Sequence, residues 1–118
     1  VIAMKNKRQI AKKIERWLMD NGMDNHVSIY FDDERWSYGW DGTKDKVVEN
    51  NIKASRYFTY ADDDTISMAF EGPLYEVLNL YRNDEEALRM HSEFSELLNE
   101  YGYFFEKGNA WNCTACKI

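Results

Sequence analysis

Proline is nearly missing from this chain: Pro73 is the single instance in 118 residues, and glycine occurs only six times. Linkers and low-complexity tracts are built from such residues, so no stretch reads as a domain boundary. No internal repeat is visible either. Long apolar runs are also missing. None approaches the roughly 20 residues that cross a bilayer, and the basic opening VIAMKNKRQIAKK leads into no apolar stretch or cleavage-like site of a secretory signal. Met4 is the candidate natural start within that opening. Cys113 and Cys116 are the only cysteines, too few to read as a secreted disulfide scaffold in a chain able to build its own core. The expectation is one cytoplasmic domain with no membrane segment.

The chain is rich in core formers: 44% of its residues are hydrophobic and 15% aromatic, which argues against disorder. A chain of this length hides roughly two thirds of its unfolded surface on folding, enough for a core without metal or disulfides. Its net charge of −6 is unevenly spread. Residues 1–16 carry Lys5, Lys7, Arg8, Lys12, Lys13 and Arg16 against Glu15 alone, a local +5 that leaves −11 for the rest. Residues 62–106 hold twelve acids opposed only by Arg82 and Arg89. Such a surface attracts basic partners and repels nucleic acid.

Hydrophobic spacing orders the elements. Ile10, Ile14, Trp17 and Leu18 recur every three or four residues, which predicts a helix with Asn6 as cap and Gly22 beyond its end. Val27, Ile29 and Phe31 alternate with polar residues, as do Trp36, Tyr38 and Trp40, which predicts a hairpin turning at Asp33-Glu34. Residues 43–54 fit a loop, a short helix around Val47 and Val48, or another strand. Tyr57–Ala61 and Ile66–Phe70 read as a second hairpin around Asp62-Asp63-Asp64. Gly72-Pro73 opens a helix with Leu74, Val77, Leu78 and Tyr81 inward. Asn83 and Glu86 form a capping-box pattern for the last helix, lined by Ala87, Met90, His91, Phe94, Leu97, Leu98 and Tyr101 and ended by Gly102. The tail predicts a third hairpin turning at Gly108-Asn109, with Trp111, Cys113 and Ala115 on one face. These elements define a single α+β domain: an antiparallel sheet of hairpins, an N-terminal helix, and two consecutive helices before a C-terminal hairpin.

Candidate chemistry is sparse. Cys113 and Cys116 with His26 and His91 make up the count of a Cys₂His₂ zinc site, but the histidines are 65 residues apart rather than paired, and positions i and i+3 of a strand face opposite ways. A redox C-x-x-C needs a helix after its first cysteine, and the chain ends first, so the pair reads as part of the closing strand. An enzyme using His26 or His91 is the other alternative, yet neither has a sequence-near orienting partner for acid–base work. No G-x-S-x-G, phosphate loop, H-E-x-x-H or dinucleotide fingerprint occurs. The Asp62-Asp63-Asp64 run lacks the ligand spacing and glycine of a calcium loop and reads as a turn. The basic first helix and the Trp36, Tyr38, Trp40 strand offer parts of a nucleic-acid site, but stacking platforms work inside positive grooves, and acids border this strand.

A binding surface is left, with no cofactor. Aromatic anchors ringed by charge are how interfaces gain affinity and specificity. The candidate partner-binding residues are Trp36, Tyr38 and Trp40, with the acids Asp62, Asp63, Asp64, Glu93, Glu96 and Glu100. In size and composition the chain resembles short accessory proteins of phages and mobile elements, a likeness carried by no motif. The expected function is a small acidic, non-enzymatic protein that inhibits or adapts a basic, nucleic-acid-handling protein.

Overall fold

A computed structural model describes residues 3–42 and 45–118. The first helix, α1 (Lys7–Asp20), forms where the sequence places it, burying Ile10, Ala11, Ile14 and Leu18. Asn6 precedes it in the left-handed region with no side-chain capping bond, so the expected cap is not made. Strands β1 (Val27–Phe31) and β2 (Glu34–Tyr38) form the first hairpin. Its turn is Asp32-Asp33, one residue earlier than expected, with both φ values positive, as a two-residue turn matched to strand twist requires. The segment read three ways contains β3 (Lys46–Asn50); residues 43 and 44 lie outside the described residues.

The second hairpin has only its returning arm, β4 (Ser67–Phe70). Residues 57–61 form no strand because β4 is already paired on both sides, with β1 and with β6 (Asn112–Lys117). That segment instead crosses the sheet, burying Phe58 against Tyr30, Ala54 and Ala69. Two helices follow, α2 (Gly72–Leu78) and α3 (Glu85–Glu96). Asp84, not Asn83, caps α3: its carboxylate accepts from the Ala87 amide at 2.9 Å. The last hairpin pairs β5 (Tyr103–Asn109) with β6 and turns at Ala110-Trp111, two residues later than expected.

The sheet order is β3-β2-β1-β4-β6-β5, antiparallel throughout. This is the α+β domain expected, with its two consecutive helices before the C-terminal hairpin. Alternation divides every strand between two faces. All three helices cover one face: Ile10, Ile14, Leu18, Leu74, Val77, Met90 and Phe94 pack there on Val27, Ile29, Phe31, Trp36, Tyr38, Met68, Phe70, Cys113 and Ala115. Among the described residues, the other face is crossed by the segment through Phe58 and is open beside it.

Ion pairs tie the basic first helix into the fold. Lys7 reaches Asp32 at 2.8 Å, Arg8 pairs with Glu34, and Lys13 pairs with Glu100. Half of the N-terminal basic charge is therefore matched within the chain. No described helix is long and apolar enough to cross a membrane.

Candidate binding cleft on the open sheet face

The residues pointing away from the helices build the candidate site. Ser28 and Tyr30 come from β1, Arg35 and Ser37 from β2, Val47 and Glu49 from β3, and Ala69 from β4. Together with Gly39, Trp40, Asp41, Tyr57, Glu71 and Trp111 they line a cleft of about 490 Å³. Its floor is made of small side chains, because Ser28 and Ser37 face each other across the hairpin with their hydroxyls 3.0 Å apart and Ala69 adjoins Ser28. Serine and alanine at these crossing points leave a hollow where larger residues would fill the face.

The rim is aromatic. Trp111 leaves the β5–β6 turn and meets Phe58 edge-on, ring centroids 5.7 Å apart, and Trp40 leans on His26 at 5.5 Å. Their placement depends on tight backbone corners. Gly39 sits at φ 75°, and a Cβ there would collide with Asn25 Oδ1; a Cβ on Gly72, φ 64°, would stand 3.0 Å from the Asn25 carbonyl and 3.3 Å from His26 Nδ1. Glycine at these two positions lets the ends of β2 and β4 close around His26, itself in the left-handed region, which carries Trp40 to the open face.

Charge in the cleft is organised around Arg35. Its Nε and Nη2 both donate to Glu49 Oε1, at 3.0 and 2.7 Å, and its guanidinium lies over the rings of Tyr30 and Tyr57 at 5.8 and 5.1 Å. Burial disfavours the guanidinium charge, but bonding to Tyr30 and Glu49 outweighs it and holds Arg35 more firmly protonated than usual. Burial raises the Tyr30 phenol pKa. Arg35 is thus neutralised by Glu49, whereas the Glu71 carboxylate makes no hydrogen bond or ion pair among the described residues. Among the described residues, the cleft's uncompensated charge is that of Glu71, which is negative.

Of the aromatic trio selected from sequence, only Trp40 belongs to this cleft, at 40% exposure. Trp36 and Tyr38 are each 2% exposed, on the helix-covered face. Trp36 packs edge-on against Phe31 under the Lys46 ammonium, 3.5 Å from its ring centroid. The selected acids fall in two places. Asp62 and Asp63 are turn residues, accepting from the Asp64 amide and from Ser55, while the Asp64 carbonyl accepts from the Met4 amide. Glu93 accepts from the Trp17 indole and Arg89, and Glu100 pairs with Lys13. These bonds lower both carboxyl pKa values, Arg89 leading at Glu93 and Lys13 at Glu100. Glu96 is exposed.

Cys113 is buried on the helix-covered face beside Met68, and Cys116 looks to the opposite face, its thiol 3.4 Å from Glu106 Oε2. The two do not converge. Trp111 does not share the Cys113 face as alternation implied, because it lies in the turn, before the strand begins. His91 is half-buried on α3, remote in sequence and element from His26 at the start of β1. Among the described residues, no group of three or more histidine, cysteine, aspartate or glutamate side chains is placed to hold a metal ion.

Sequence reasoning missed Ser28, Arg35, Ser37, Tyr57, Glu71 and Trp111. The available signal was the polar alternate set of the first hairpin: Ser28 and Ser37 are small residues between bulky neighbours on both strands. No protein-family model, no curated protein and no solved structure matches this chain.

Proposed function

We propose that this chain is a non-enzymatic protein-binding domain whose open-face cleft receives a cationic segment of a basic partner. In particular, the partner is a protein whose own basic surface handles nucleic acid, and binding inhibits or adapts it. The observation carrying this reading is the cleft itself: Trp40, Tyr57 and Trp111 on the rim, a small-residue floor, and Glu71, which has no counter-charge among the described residues. A lysine or arginine side chain gains there from the ring faces and from the carboxylate together. The −11 carried by residues 17–118 steers such a partner toward the surface. Catalysis has less support, since the Ser28 and Ser37 hydroxyls bond each other and His26 rests on Trp40.

The test is titration with a hexa-arginine peptide, followed by tryptophan fluorescence and by chemical shifts of the Trp40 and Trp111 indoles. Binding is expected to move these two indoles, leave those of Trp17 and Trp36 in place, and weaken with salt. Glu71→Lys and Trp111→Ala are each expected to lower affinity about tenfold, as for residues central to an interface. Binding that survives both substitutions but disappears on charge reversal at Glu93, Glu96 and Glu100 would place the surface on α3 and the turn after it and defeat this reading. Affinity capture from cell extract, comparing wild type with Glu71→Lys, then identifies the partner.

A further inference from the structure

The two edges of the sheet are guarded differently. β5 has a register break between Lys107 and Asn109, a device that spoils edge pairing. β3 pairs with β2 in continuous register from Lys46 to Asn50. It exposes Val47 (40%) and Val48 (50%) on opposite faces, and among the described residues no strand covers its outer side. Charged side chains normally protect such an edge by projecting past it. Here both are drawn inward: Lys46 Nζ is 2.8 Å from Glu15, and Glu49 is held by Arg35.

The backbone groups on this edge follow from the ladder. The two-residue turn makes Phe31 and Glu34 a hydrogen-bonded pair, so alternate β2 residues, Trp36 and Tyr38, also bond β1. Arg35 and Ser37 then bond β3 through their register partners Glu49 and Val47. The N–H and C=O groups of Lys46, Val48 and Asn50 are left pointing outward, spaced symmetrically about Val48. A two-fold axis through Val48, normal to the sheet, sets Val48 against its own copy and Lys46 against the partner's Asn50. Val47 then faces the partner's Glu49, so no like charges are opposed. A one-residue slip would mismatch both the hydrogen-bonding groups and the faces.

We infer that β3 pairs antiparallel with β3 of a second copy, joining two six-stranded sheets into one. The axis keeps both open faces on the same side, so the two clefts, each bounded by Val47 and Glu49, flank it. A partner bearing two cationic segments would gain avidity from this arrangement. That consequence rests on the cleft reading above; the dimer does not.

Sedimentation equilibrium of the whole chain tests the pairing. A five-residue strand pair buries much less than the roughly 1,600 Å² of a standard interface. The expected behaviour is therefore a monomer of 14.0 kDa when dilute and a two-fold mass as the concentration approaches about 1 mM. Val48→Lys, which opposes like charges across the axis, and Val48→Pro, which removes the central outward N–H at a position where an edge strand tolerates proline, should each weaken association at least about tenfold. Circular dichroism reports whether each variant is folded. In the wild type, the amides of Lys46, Val48 and Asn50 should exchange more slowly as concentration rises. A monomeric mass at every concentration, association unchanged in a folded Val48 variant, or protection appearing on β5 instead overturns the inference.

Discussion

Tyr38→Phe separates a core role for this residue from the surface role its spacing implied. The Tyr38 hydroxyl donates to Glu15 Oε2 at 2.5 Å, and Lys46 holds the same carboxylate at 2.8 Å. A hydrogen bond to a charged group contributes roughly 1.5–3 kcal/mol. Phenylalanine removes it but leaves Glu15 its lysine, so a loss of about 1.5–2 kcal/mol at neutral pH is expected, in the lower part of that range. For a chain of this length, that corresponds to a Tm lower by roughly 6–8 °C. The pH dependence should change as well. Burial, and then Glu15, raise the phenol pKa above its ordinary value of 10.0. The folded state therefore keeps a proton that the unfolded chain releases. Stability from this group is complete below the unfolded pKa and declines above it, by about 1.4 kcal/mol per pH unit for one proton. Tyr30 and Cys113 are shifted upward too, and their share persists in the variant. Urea denaturation followed by far-UV circular dichroism, from neutral pH to beyond the phenol range, gives both quantities. The two stability curves should converge above the phenol pKa, and peptide binding by the cleft should be unchanged. Parallel curves, or equal midpoints at neutral pH, would refute burial of the hydroxyl against Glu15.

Two further outcomes are expected. Asp84→Ala should lower Tm at neutral pH while Asn83→Ala leaves it nearly unchanged, measured by thermal denaturation. The Ala87 amide, and then Arg82, depress the Asp84 carboxyl pKa below 3.8, so the gap between wild type and Asp84→Ala should be full above that value and close as pH falls through the lower folded one. In a thiol-reagent assay of the native protein, Cys116 should react and Cys113 should not, with both reacting in urea. Burial leads in raising both thiol pKa values, and Cys113 is fully enclosed, so equal native rates would contradict its position in the core.

The limits of sequence reading are local and physical. Where one face of an element meets one environment, periodicity was sufficient: Ile10, Ile14 and Leu18 on α1, Val27, Ile29 and Phe31 on β1, Met90 and Phe94 on α3. Turn chemistry was legible to within one or two residues, because Asp32 and Glu34 on either side of Asp33, or Asn83 and Asp84, offer similar side chains and geometry chooses between them. Tyr57–Ala61 failed as a strand because strand pattern states a capacity to pair, not whether a partner edge is free. Trp111 failed because the last turn comes two residues later than expected, releasing it from the alternation of β6.

The sequence alone determined the α+β class, the main stripes of α1 and α3, the alternation of the strands and the acidic balance, since each is written in neighbouring residues. Tyr81, expected inward on α2, lies past that helix's end and is 72% exposed. Tertiary structure decided which side of that alternation became the core. By laying three helices on one face, it buried Trp36 and Tyr38 and left the smaller polar set around Ser28, Arg35 and Ser37 to open as a cleft. Two faces of a strand are distinguishable within five residues, but what covers them is settled by other elements, here α1 together with α2 and α3.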